Sequence, residues 1–164
     1  MPNNINNRLN YSNIHDNAKV YGNAKVYDDA KVYDNTKVYD NAQVHNDAKV
    51  YGNVQVYNDA KVYDYAQVHN DAKVYGNAKI YGSAYICEHA KVYGNAEIYG
   101  YSYIGGYTKI CGNAKIFNLA NINGYSIIKG NSRIFGKTII SISIKDYQIC
   151  GKARIKKNEG FLIK

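Results

Sequence analysis

The sequence predicts an all-β solenoid of short strands stacked coil upon coil, and three observations carry that expectation. Counting from Val20, every sixth residue from Ile14 to Ile140 is Val or Ile, at 22 of 22 positions. Two residues before each stands Ser, Ala, Thr or Val, again at 22 of 22. Within a unit such as Ala18-Lys19-Val20-Tyr21 the residues alternate small, polar, aliphatic and aromatic, the period-two pattern of a strand with one buried face. The two remaining positions are mostly Gly, Asp or Asn, which tolerate left-handed backbone and make corners. No helix has such a six-residue period.

A strand with one buried face cannot stand alone, and stacking each unit on the next coil buries it. Residues 1–11, polar with Ile5 and Leu9, read as an N-terminal cap. Residues 12–140 form the repeat. After Ile140 the phase slips by three, so that Ile149 and Ile155 follow a new register. Residues 141–148 hold that slip, and 141–164 read as a basic second cap whose charge discourages end-to-end pairing.

Val20 is followed four positions later by Ala24, and Val26 by Ala30. This aliphatic-then-small spacing resembles the hexapeptide-repeat family over about residues 12–140, with one departure: the residue after the aliphatic one is usually Tyr. The resemblance implies a left-handed parallel β-helix of triangular section, with 18 residues per coil and about seven coils. At about 4.8 Å per coil the rod is ~34 Å long. Well-known members are acyltransferases that use acyl-CoA or an acyl-carrier protein, with a catalytic histidine near a subunit boundary and often beside an interrupting loop. Here no loop interrupts the repeat, His45 and His69 replace Tyr within it, and only His89, at a corner beside Glu88, has a position suited to a general base. Other members hold zinc with three histidines, but His15 and His69 share a column three coils apart and His45 lies on another face. The expectation is therefore no catalytic residue, no cofactor and no metal. Homotrimers are common in the family, which makes a second copy a candidate partner.

Charge is uneven. Of the net +8, residues up to Ile128 contribute 12 Lys/Arg against 11 Asp/Glu, and those from Lys129 onward contribute 9 against 2. No apolar run is long enough to span a bilayer, and no signal-peptide pattern opens the chain. Cys87, Cys111 and Cys150 are an odd number without a pairing register, so reduced thiols and a cytoplasmic location are expected. Nineteen Tyr without Trp suit β surfaces. The wealth of Asn, Lys, Ile and Tyr fits an AT-rich genome, bacterial or phage.

In an 18-residue register the outward columns of two faces are monotonous: Lys19, Lys37 and Lys73 beside Tyr21, Tyr39 and Tyr75 on the first, Lys25, Lys61 and Lys79 beside Tyr27, Tyr63 and Tyr81 on the second. They read as solubilising surfaces, or as Lys/Tyr strips for single-stranded nucleic acid. The third face begins with Lys31 and Lys49 and then loses its lysines, passing to Tyr85 and Tyr103. Its flanking corners carry Tyr65, Tyr101 and Leu119 on one side and His89, Tyr107 and Tyr125 on the other. Aromatics cleared of lysine make interface cores. These eight residues are the candidate binding surface for another protein, a nucleoprotein complex or a second copy. The basic tail, with Lys152, Arg154, Lys156 and Lys157, is a candidate contact for nucleic acid or an acidic protein. The function expected is a non-catalytic solenoid that docks a macromolecule as scaffold or inhibitor, or assembles with itself. The alternatives are an acyl-CoA-dependent acyltransferase-like protein and nucleic-acid binding.

Overall fold

A hexapeptide that places one aliphatic side chain inward and then turns can form only a very short strand. In the computed structural model, which describes residues 11–142, 148–151 and 154–163, such strands are two residues long, the first at Lys19–Val20 and the next at Lys25–Val26 and Lys31–Val32. Each pairs in parallel with the strand 18 residues later: Lys19 with Lys37, Lys25 with Gln43, Lys31 with Lys49. Three ladders result, one per face, and the chain is an all-β parallel solenoid of about seven turns of about 18 residues. The second and third ladders merge because one ten-residue strand, Arg133–Ile142, runs through the corner between them.

The aliphatic column fills the interior. Val26 through Ile140 at the six-residue period are fully buried, together with the Ala residues that precede them. Each Val or Ile contributes about 1.5–3 kcal/mol of burial, set against the entropy of ordering its unit. At four positions where Ser or Thr replaces Ala, Ser102, Ser126, Ser132 and Thr138, the hydroxyl bonds back three residues: Ser102 Oγ donates to the Tyr99 carbonyl at 2.7 Å, Ser132 Oγ to that of Lys129 at 2.7 Å.

The corners are left-handed. Asp16, Asp28, Asp34 and their equivalents have φ of 56–62°, and their carboxylates accept the amide of the coil above, as Asp34 Oδ2 does from Gly52 N at 2.9 Å. Gly106 has no substitute: at φ 65° a Cβ would sit 2.6 Å from the Gly124 backbone. One residue further on, corner amides form their own ladder. Asn77 Nδ2 donates to Asn95 Oδ1 at 3.2 Å, Asn95 to Asn113 at 3.0 Å and Asn113 to Asn131 at 3.0 Å.

The parallel ladder runs past the last hexapeptide unit. Ile128 pairs with Ile149, and Arg133 with Arg154. Both partners lie 21 residues on, one coil plus the slip of three expected from the sequence. The strand Arg154–Ile163 follows Arg133–Ile142 along most of its length, so part of the segment expected as a cap supplies further rungs. Of the other cap, expected at 1–11, residues 1–10 lie outside the described residues, as does most of the slip, at 143–147. Among the described residues no helix is long and apolar enough to cross a membrane.

Candidate functional site

Identical residues one coil apart lie within stacking distance, and this sets the surface chemistry. On the first face Tyr21, Tyr39, Tyr57, Tyr75 and Tyr93 stack with centroids 4.9–5.1 Å apart and planes within 3°. On the second, Tyr27, His45, Tyr63, Tyr81, Tyr99, Phe117 and Phe135 continue one column at 4.8–5.0 Å. The ring faces are spent on one another, and only edges look outward. The Lys/Tyr strips therefore offer no free π-face along their length to a base, and base stacking of the kind single-strand binders use has no platform there. Partial burial favours the protonated phenol at Tyr81, whose hydroxyl is pushed up to about 12, by desolvation first and by Glu97 second. Tyr93 reaches about 12 chiefly through a hydrogen bond with Cys111.

The third face departs from this order in a compensated way. Its ring column runs Tyr33, Tyr51 and His69, and then loses its rings to Cys87 and Gly105. The next column gains Tyr85 and Tyr103 where lysine stood. The ring of Tyr103 lies over Gly105, whose Cβ would meet it at 2.9 Å, and its hydroxyl accepts from Cys87 Sγ at 3.1 Å. Tyr85 packs edge-on against His69 at 4.5 Å and stacks on Tyr103 at 5.6 Å. Both tyrosines are half-buried. They lie flat on the face, filling space vacated by missing side chains, and do not project as anchors. His69 is only 8% exposed; its Nδ1 meets Asn70 Oδ1 at 3.0 Å and its Nε2 has no hydrogen-bond partner.

The flanking corners differ from one another. On one, successive coils present Asp29, Asp47, Tyr65, Ser83, Tyr101, Leu119 and Lys137. Tyr65 is 65% exposed, Tyr101 71% and Leu119 50%. Among the described tyrosine side chains, Tyr65 and Tyr101 alone have no ring stacked on them. On the other corner an amide ladder, Asn17 to Asn35 to Asn53 to Asp71, gives way to stacked His89, Tyr107 and Tyr125, at 4.6 and 5.0 Å. His89 Nδ1 lies 3.6 Å from Asp71 Oδ2. Beside them runs a groove of about 610 Å³, with Lys73, Lys91, Lys109 and Ile127 as its opposite wall.

The candidate residues thus separate into two edges and a floor. Tyr65, Tyr101 and Leu119 form one edge, His89, Tyr107 and Tyr125 the other, and Tyr85 with Tyr103 the floor between. Lys73, Lys91 and Lys109 belong to the first face, which the sequence presents as a solubilising surface; their offset of two residues from Asp71, His89 and Tyr107 is the signal that joins them to the corner. Of the basic residues, Arg154, Lys156 and Lys157 sit on the backbone of the final strand, opposite Arg133, Phe135 and Gly136. Lys152 lies outside the described residues, as do all four side chains. Among the described residues no group of three His, Cys, Asp or Glu is placed to hold a metal ion.

Comparison of the chain with protein-family models finds no match, and comparison with curated proteins finds none either.

Proposed function

We propose that this chain is a non-catalytic interaction protein, a rigid rod that docks protein along the corner of Tyr65, Tyr101 and Leu119. It is read as a left-handed hexapeptide-repeat β-helix acting in the cytoplasm as scaffold or inhibitor, or as a self-assembling rod. One observation carries the reading: in a molecule that stacks nearly every ring, two tyrosines and a leucine stand exposed and unstacked on one edge. Exposed aromatics with few rotamers bury much area at little entropic cost, which is why they anchor protein interfaces. The basic run of Lys152, Arg154, Lys156 and Lys157 adds charge that favours an acidic surface on the partner. Affinity capture from native cytosol tests the reading. A protein retained by the wild type and lost with Tyr65→Ser/Tyr101→Ser supports it. Capture that those substitutions leave unchanged, or that nuclease abolishes, overturns it.

A second reading rests on the His89 groove. A histidine beside a carboxylate, facing three lysines across a groove of about 610 Å³, suits acyl transfer from an acyl-CoA. The lysines would hold phosphates; His89 would take the proton of the acceptor nucleophile as it attacks the thioester carbonyl, and would return it to the sulfur as the acyl C–S bond breaks and CoA leaves as its thiol. Calorimetric titration with acetyl-CoA decides it: binding lost in Lys91→Ala supports this reading, and no heat of binding removes it.

A further inference from the structure

We infer that the occupant of the Tyr65–Tyr101 corner is a second copy of this chain, packed antiparallel with one ring of each copy inserted between two rings of the other. The inference rests on the docking reading above and specifies its partner.

Ring columns in this solenoid advance 4.8–5.1 Å per coil. Tyr65 and Tyr101 occupy one corner column two coils apart, and the coil between them carries Ser83. Two steps make about 10 Å, which leaves room for one further ring at the spacing the other columns use. The corner is a ring ladder with a rung missing.

An antiparallel copy supplies that rung. Let Tyr101 of the second copy enter above Ser83 of the first. The two-fold axis then places Tyr101 of the first copy above Ser83 of the second, as an isologous contact requires. Four rings stack in one line: Tyr65 and Tyr101 of one copy alternate with Tyr101 and Tyr65 of the other. With this register set, the remaining contacts follow without adjustment. Leu119 falls opposite Tyr65, apolar against apolar, and Lys137 falls opposite Asp47, cation against anion. All five side chains are exposed, and Ser83, shaded by its neighbours, is half-buried. Beside Asp47 and Tyr65 the surface is hollowed into a groove of about 450 Å³, lined also by Asp29, Lys31, Lys49 and Gln67. It lies in the path that Leu119 and Lys137 of the other copy would follow.

Other registers lose these matches. A shift of one coil in one direction puts Tyr65 and Tyr101 at the same height, where they collide, and sets Asp47 against Leu119; in the other direction it sets Tyr101 against Tyr101 and Tyr65 against Lys137. A parallel arrangement, as in a rotational trimer, sets Asp47 on Asp47 and Lys137 on Lys137, and like charges there oppose association.

Sedimentation equilibrium and light scattering on the full chain test the inference. The expected species is a dimer of twice 18.4 kDa. Tyr101→Ser should raise its Kd roughly 30-fold. Ser83→Tyr keeps every aromatic and fills the gap from within the chain, so it should also give monomer while circular dichroism stays that of the wild type. Lys137→Asp and Asp47→Lys should each weaken self-association, and an equimolar mixture of the two variants should restore it as a heterodimer. A monomer, a trimer, or a dimer indifferent to Ser83→Tyr and to the charge exchange overturns the inference. If the chain is monomeric yet its wild-type corner still captures a different protein, the docking reading stands and the antiparallel dimer falls. If the corner variants change neither, both fall.

Discussion

Two corners of this rod are made by the same hexapeptide on nearly the same backbone, yet they have opposite characters. The corner of Asn77, Asn95, Asn113 and Asn131 repeats one residue, and each amide donates to the next. The corner of Asp47, Tyr65, Ser83, Tyr101 and Leu119 repeats nothing. In a solenoid, a residue's neighbour is the residue one coil away, so sequence identity at that distance satisfies the surface internally. Where identity fails, side chains are left without an in-chain partner of their own kind. The uniform corner is chemically closed and the varied one is open, and the docking proposed above falls on the open one.

The largest expected effect breaks the comparison by removing what both corners share. Ile104→Ala empties a fully buried position of the common core and should cost about 2–5 kcal/mol in urea unfolding. Both corners should be lost together, in one transition. A smaller effect sharpens it. Tyr81 stacks on Tyr63 and Tyr99, whereas Tyr101 stacks on nothing. Tyr81→Ser should cost about 1–3 kcal/mol from two ring contacts. Tyr101→Ser should stay within about 0.5 kcal/mol in the monomer, as surface changes do. Equal losses would show that stacking is not what separates the two kinds of tyrosine.

The smallest effect is read by alkali. Tyr51 and Tyr81 have hydroxyls raised to about 12, first by burial. In the unfolded chain tyrosine titrates near 10. A raised folded pKa favours the protonated form, so the associated stability is complete below pH 10. It is lost as pH rises from 10 through about 12. Absorbance titration of phenolate should show a late class of tyrosines that merges with the early class once the chain unfolds.

The core was legible because one period fixed it: every Val and Ile at the six-residue spacing from Val26 to Ile140 is buried. The 18-residue register also placed Tyr65, Tyr101 and Leu119 in one column. The direction in which rings lie was not legible. Tyr103 lies flat because Gly105, just past the end of its strand, offers no side chain. That requires knowing the shape of the space as well as its occupants. The loss of π-faces along the Lys/Tyr strips was hidden for a related reason. Composition shows tyrosine and lysine side by side, while only the coil rise shows that tyrosines face each other. The slip of three after Ile140 was readable, but the continuation of the ladder beyond it depends on Ile149 and Arg154 taking rungs beside Ile128 and Arg133.

The ring columns have an optical consequence. With no tryptophan to drain excitation, ultraviolet light absorbed by one tyrosine passes to the next ring about 5 Å away and migrates along the column. Emission from the columns should accordingly be depolarised, and on the first face the column includes Tyr93 beside the Cys111 sulfur, a quencher. Tyr65 and Tyr101 stand outside every stacked column, and their light would change when a ring from another molecule slid between them.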